Sequence, residues 1–225
     1  MSDLSERTWT LEEVIADPEG WAAMMARRTE AVRGDRPRLS DEEINAMFLR
    51  AAGFGERYWG ARWDRVPADM VGPLRKYVAS IRENMREGRG LLLAGGVGCG
   101  KTSALALICL EARKYGEVAY ILAPDLYALL LRGTREAEDQ VAYYRRADLL
   151  LLDDVDRLYL GSDWLLAQID TFAEHRYAAK LATVATANNW EAIKEIEALG
   201  RLRDRWRQTM KFVKSRAASQ REVAG

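Results

Sequence analysis

The chain is poor in the residues that build metal centres and covalent frameworks. Its 225 residues include 2 cysteines and 1 histidine. Cys99 and Cys109 stand ten residues apart, a spacing that suggests neither a zinc site nor a disulfide framework and points to a reducing compartment. Long apolar runs are also missing. No stretch reaches the ~18 residues that a membrane helix needs, and the start, Met1-Ser2-Asp3-Leu4-Ser5-Glu6, lacks the basic-then-apolar pattern of a signal peptide. The expected location is the cytoplasm, with no membrane partner. Charge of one sign is lacking too: 34 Lys and Arg balance 34 Asp and Glu. The chain as a whole is therefore no general polyanion binder, and any nucleic-acid contact must come from a local patch. What remains is 48% hydrophobic and 30% charged, enough for one full domain with a core and a smaller appendage.

Residues 1–65 read as a small helical region and linker, separate from a main domain at 66–225. Thr10-Leu11-Glu12-Glu13 and Ser40-Asp41-Glu42-Glu43 are capping-box patterns. Asp17 before Pro18 predicts a helix from Pro18 to about Val32, which Gly34-Asp35-Arg36-Pro37 ends. Another helix is expected from Asp41 to Ala52, stopped by Gly53. Residues 54–66 are rich in aromatics and arginine. They could stack on bases, or form a linker that packs its rings onto the next domain, and the second reading is favoured.

From Pro67 a helix is expected to about Glu87, with Met70, Leu74, Tyr77, Val78, Ile81 and Met85 on one face. Strands and helices then alternate. Strands are expected at Leu91–Ala94, Val118–Leu122, Leu149–Leu152, Ala182–Thr186 and Met210–Val213. Helices are expected at about Ser103–Lys114, Asp125–Arg132, from Thr134 to Arg146, Asp163–Ala179 and Leu199–Gln208. This alternation predicts an α/β fold, a parallel five-stranded sheet between helices, with ligands at the carboxyl ends of the strands.

The chemistry-bearing motifs fall at those ends. Gly95-Gly96-Val97-Gly98-Cys99-Gly100-Lys101-Thr102 matches G-x-x-x-x-G-K-[ST] between an apolar strand and a helix that continues through Ser103. Glycines allow backbone N–H groups to curl around phosphate oxygens, and the helix N-terminus adds its dipole. Lys101 is expected on the β- and γ-phosphates of ATP, and Thr102 on Mg²⁺. Leu149-Leu150-Leu151-Leu152 delivers Asp153-Asp154 at the next strand end. Asp153 is expected to hold Mg²⁺ through water, and Asp154 to be the base that orients the attacking water. Thr186-Ala187-Asn188-Asn189 ends the fourth strand, where Asn188 would position that water. Cys99, beside Lys101 and a helix N-terminus, is expected to be the more reactive thiol. His175, on the helix before the fourth strand, is expected to be packed or on the surface.

Gly200-Arg201-Leu202-Arg203-Asp204-Arg205 offers an arginine for the transferring phosphoryl group, from Arg201 or Arg205 to a neighbouring subunit. From Arg201 to Arg216 there are seven Lys or Arg against one Asp, a positive patch for which DNA is a fitting partner.

Together these residues resemble the AAA+ ATPases of the DnaC and IstB type, members of the P-loop NTPase (AAA+/ASCE) class. The resemblance covers about residues 53–221. Leu91 to Thr102 resembles the Walker A segment and Leu149 to Asp154 the Walker B. Arg176-Tyr177 and Thr186-Ala187-Asn188 look like the family's Arg-Tyr and sensor-one segments. Gly200 to Arg205 is similar to its Ser-Arg-x-x-Asp-Arg box, with Gly200 in place of Ser, and Ser219-Gln220-Arg221 to its terminal Ser-x-Arg. The resemblance implies ATP hydrolysis with Mg²⁺, no C-terminal helical lid, an ATP-dependent homo-oligomer, single-stranded DNA, and a replicative helicase gripped by the N-terminal region. An IstB-like transposition helper that recruits a transposase is the alternative. A P-loop small-molecule kinase is the reading from another class, opposed by the lidless ending and the arginine box.

Overall fold

The computed structural model describes residues 16–17, 19–20, 23, 39–158, 163–191 and 200–219. Contacts divide the chain into units Met1–Asp41 and Glu42–Gly225. In the first, the Asp17 carboxylate accepts from the Gly20 amide at 2.9 Å, the capping contact its place before Pro18 predicts. The Thr10–Glu13 capping box, the remainder of the helix to Val32 and the break at 34–37 lie outside the described residues, as do Gln220 and Arg221. The contact division falls at 41/42 rather than after residue 65, because Leu49 and Phe54 are buried in the core of the second unit.

Helices and strands are numbered over the described residues. Helix α1 (Asp41–Ala51) begins right after Ser40 and is followed by single 3₁₀ turns at Glu56–Tyr58 and Trp63–Arg65. Next come α2 (Ala68–Ala79) and α3 (Ile81–Arg86), where one helix was expected. Their junction has a cause. In an unbroken helix the Tyr77 carbonyl would accept from Ile81. Here it accepts from the Ser80 amide at 3.2 Å and from the side chain of buried Asn84 at 3.0 Å. Then follow β1 (Gly90–Ala94), α4 (Lys101–Ala112), β2 (Val118–Leu122), α5 (Ala123–Arg132), α6 (Arg135–Arg146), β3 (Leu149–Asp153), α7 (Asp163–Ala178), β4 (Ala182–Ala187), α8 (Gly200–Thr209) and β5 (Met210–Lys214).

The five strands form one sheet in the order β2-β3-β4-β1-β5. All four pairings are parallel, with Leu91 against Val184, Leu151 against Val184 and Tyr120 against Leu151. Side chains alternate across the sheet, so each strand feeds two cores. Leu91, Leu93, Leu149, Leu151 and Val184 pack under α2, α3 and α4. Leu92, Leu150, Leu152 and Ala185 pack under α5, α6, α7 and α8. That is why β1 and β3 are continuous leucine runs, buried at every position. No helix among the described residues is long and apolar enough to cross a membrane.

Buried Arg176, on the last turn of α7, holds the second helical layer to the sheet. Its guanidinium donates to the carbonyls of Tyr144, Arg145 and Ala147 at 3.0, 3.1 and 2.8 Å. It also donates to the Ala182 carbonyl and, at 3.0 Å, to Thr183 Oγ1. It thereby satisfies the orphan carbonyls at the end of α6 and ties them to β4. Burial pulls its pKa down, opposed by the nearby Asp148 carboxylate. Arg176→Met strands those carbonyls and is expected to cost about 3 kcal/mol. Arg176→Lys, with three donors on a point charge, should recover only part of it. Denaturant midpoints measure both, and a wild-type midpoint for Arg176→Met would show that the clamp contributes nothing.

Candidate nucleotide-binding site

The loop between β1 and α4 is shaped by two glycines with positive φ, Gly98 at 78° and Gly100 at 104°. At Gly100 the requirement is also one of space. A Cβ there would stand 2.4 Å from the Arg65 carbonyl oxygen, so the 3₁₀ turn at Trp63–Arg65 lies directly against the loop. Helix α4 starts at Lys101, whose side chain turns inward and is 5% exposed. The ammonium has three donors and three close oxygen acceptors: the carbonyls of Gly95 and Gly96 at 2.8 and 2.9 Å, and Asn188 Oδ1 at 2.8 Å. Val97 stands exposed at the tip of the loop. Cys99 does not: its side chain is 0% exposed beneath the loop, and Cys109 is buried with a thiol pushed up to about 12 by desolvation. Lys101 lies near the Cys99 sulfur, at 3.9 Å, and both thiols are buried.

Asp153 ends β3 and is 2% exposed. Hydroxyls from three elements converge on its carboxylate. Thr102 Oγ1 on α4 donates to Oδ2 at 2.8 Å, Tyr120 on β2 donates to Oδ2 at 3.2 Å, and Thr186 on β4 donates to Oδ1. Burial raises the Asp153 pKa, the hydrogen bonds from the two threonines oppose that, and the charge of Asp154 adds to it. Asp154 turns away from the strand with φ at 58°, a conformation that Asp and Asn adopt more readily than most residues. Its amide donates to Thr186 Oγ1 at 2.9 Å, and its carboxylate accepts from Asn188 Nδ2 at 3.0 Å. Strand order explains the meeting. Because β4 lies between β1 and β3, Asn188 just past its end reaches Lys101 on one side and Asp154 on the other.

Two residues of this network were not anticipated from the sequence. Asp156 accepts from the amides of Asn188 and Asn189 at 2.9 and 3.0 Å and fixes the turn that presents the Asn188 side chain. Its place in Asp153-Asp154-Val155-Asp156 was the available signal. Tyr120 gave none, since a tyrosine in a strand reads as packing. The loop, Asp153, Asp154 and Asn188 open onto one cleft of about 1620 Å³, walled on one side by Gly53, Arg57 and Tyr58 and on the other by Asp125, Arg132 and Tyr144. The residue types fit a nucleotide with Mg²⁺. Backbone amides and a lysine suit phosphate, and one carboxylate beside a threonine hydroxyl suits a cation that takes its remaining ligands from water and phosphate.

The two candidate arginines of α8, Arg201 and Arg205, differ. Arg205 is 16% exposed and forms ion pairs with Asp170, at 2.6 Å, and with Glu174, both on α7. Arg201 is exposed on the first turn. The helix runs back from the carboxyl-end side of β4 to Met210, which pairs with Gly90 at the start of β1, so Arg201 stands toward the loop end of the sheet and Arg205 further from it. His175 is exposed near the end of α7 and far in sequence from the loop.

The profile of the ATPase family associated with various cellular activities (AAA) matches residues 91–212. The chain belongs to this family. No curated protein matches it in sequence. The fold is similar to that of the DnaC helicase loader, with a TM-score of 0.56 at 22% identity over 71% of this chain and 99% of that one. A putative primosome component from Streptococcus pyogenes gives 0.58 at 20% identity over 75% and 93%. The replication initiator DnaA, bound to AMPPCP and single-stranded DNA, gives 0.53 at 22% identity over 64% of this chain and 45% of that one. The chain thus spans less than half of that DnaA chain, and at these identities the likeness is one of fold.

For this member of the AAA family, Lys101→Ala is expected to weaken binding of a fluorescent ATP analogue by roughly 30- to 100-fold, the effect of about 2–3 kcal/mol of lost charge-assisted hydrogen bonding. The melting temperature should hold near wild type. Wild-type affinity in the variant would remove the loop as the phosphate site.

Proposed function

We propose that the chain is an ATP-driven assembly switch of the DnaC helicase-loader type, which binds Mg-ATP, oligomerises on single-stranded DNA and recruits or loads a replicative helicase through its N-terminal region. The observation that supports the ATPase part is the Asn188 bridge, with Lys101 Nζ at 2.8 Å and Asp154 Oδ1 at 3.0 Å. One amide joins the lysine of the phosphate loop to the carboxylate placed as base. The loader part is supported by the fold shared with DnaC. Further support is the exposed Arg201 and Arg207 on α8 and Lys211, Lys214 and Arg216 on and just after β5, positive charge that suits a phosphate backbone.

Thr102 and Asp153 would hold Mg²⁺, which when bound neutralises charge on the β- and γ-phosphate oxygens. Lys101 would leave the Gly95 and Gly96 carbonyls to bind phosphate. Asp154 would take the proton of the attacking water, and Asn188 would orient that water. Arg201 would reach the site of the next subunit, since Arg205 is held by two carboxylates of its own.

Asp154→Asn tests the base. Asn suits the positive φ at this position, so the fold and ATP binding should persist while hydrolysis falls about 100-fold or more. Normal hydrolysis in Asp154→Asn with loss in Asp153→Asn would reverse the two roles. Subunit mixing tests the arginine. Arg201→Ala and Lys101→Ala subunits should each be inactive alone and recover hydrolysis when mixed in Mg-ATP and single-stranded DNA. No recovery at any ratio, with a monomer by light scattering, would sink the oligomer and favour the small-molecule kinase. Assembly on duplex rather than single-stranded DNA would move the reading to a transposition helper.

A further inference from the structure

Among the described residues, Tyr120 is the aromatic hydroxyl that reaches the buried carboxylate of the site. It sits on β2 opposite Leu151 of β3, two residues before the Asp153 register position, on the diagonal that a long side chain can span. Its oxygen lies 3.2 Å from Asp153 Oδ2, the same oxygen that accepts from Thr102. Its ring is not free to settle by itself. Phe54 stacks on it with centroids 3.8 Å apart and planes at 21°. Phe54, 3% exposed, is in turn pinned by its backbone. Its amide donates to the Leu49 carbonyl of α1 at 2.9 Å, and its carbonyl accepts from Trp59 Nε1 at 2.8 Å. A short mechanical line thus runs from the end of α1, through one stacked ring pair, to the carboxylate placed for the metal.

We propose that Tyr120 is a positioning residue for Asp153, and that the Phe54 segment sets it, so that the seating of the chain after α1 tunes the affinity for Mg²⁺-nucleotide. The inference rests on the Mg-ATP reading of the site. The hydroxyl donates to an anionic oxygen in a desolvated place, where a charge-assisted bond fixes the carboxylate's rotation more firmly than it would in water. Partners that orient a metal-binding carboxylate commonly change metal affinity by about 10–100-fold when removed. Phe54 acts on the carboxylate through the stack, by deciding where the tyrosine ring lies.

The test uses the full chain and a fluorescent ATP analogue, titrated with Mg²⁺ and separately in EDTA. Tyr120→Phe keeps the ring and the stack and removes one oxygen. The Mg²⁺ concentration for half-maximal nucleotide binding should rise about tenfold, with affinity in EDTA and melting temperature unchanged. Phe54→Leu should move the Mg²⁺ midpoint the same way, and Phe54→Tyr, which keeps the stack, should restore it. An unchanged midpoint in Tyr120→Phe overturns the positioning role. Equal loss with and without Mg²⁺ overturns it too, because that is the mark of a merely structural residue. A shift in Tyr120→Phe with none in Phe54→Leu removes the link to the segment after α1. If the wild type binds nucleotide without any Mg²⁺ dependence, the metal reading itself has failed, and this inference with it.

Discussion

A carboxylate at the end of a four-leucine strand, 2% exposed, is expensive to keep unless its oxygens are satisfied. Much of the site's architecture answers that demand. Thr102 opens α4, Thr186 sits in β4 and Tyr120 in β2, and each turns its hydroxyl to Asp153. The phosphate loop, the acid strand, the strand between them and the sheet edge are therefore cross-linked through one side chain. Thr186 extends the arrangement, since its oxygen also accepts from the Asp154 amide at 2.9 Å. The left-handed turn at Asp154 is thus held by the same residue that helps solvate Asp153.

The segment after α1 shows how a stretch with ambiguous composition finds a definite role. Phe54 stacks on Tyr120, Trp59 donates to the Phe54 carbonyl, and the Arg75 guanidinium of α2 lies 5.1 Å from the Trp63 ring centre. The rings of Phe54, Tyr58, Trp59 and Trp63 pack on the body of the domain, while the arginines between them stay exposed. The turn that follows lays the Arg65 carbonyl on Gly100. Base-stacking aromatics would need exposed ring faces, and Phe54 has almost none.

What was legible in the sequence was local or periodic. The phosphate loop is a contiguous signature, the leucine runs announce strands buried on both faces, and β2, β3, β4 and α6 fall within a residue or two of their expected bounds. What was not legible depends on distant partners. The helix break at Ser80 rests on the Asn84 side chain taking the Tyr77 carbonyl. Cys99 sits beside a lysine and a helix start, which favour a thiolate, but the fold closes over it. Arg201 and Arg205 are equivalent as letters one helical turn apart. Only the packing of α8 on α7, which brings Asp170 and Glu174 to Arg205, separates them. Arg176 carried a motif resemblance and no role until the α6 carbonyls were seen to converge on it.

Lys101 and Asp154 never touch, yet they cannot be independent. The ammonium divides its three donors among Gly95, Gly96 and Asn188. Asn188 keeps its amide nitrogen on Asp154 and its backbone on Asp156. A phosphate drawing on the ammonium competes with three neutral amide oxygens, all weaker partners than an anion. Asp156 fixes the Asn188 backbone and so holds the asparagine side chain between the lysine and the carboxylate. The Asn188 amide holds the Asp154 carboxylate turned toward the strand tip. A positive φ at Asp154, costly for most side chains, serves the same end: it aims the carboxylate back toward the strand tip where Asn188 waits.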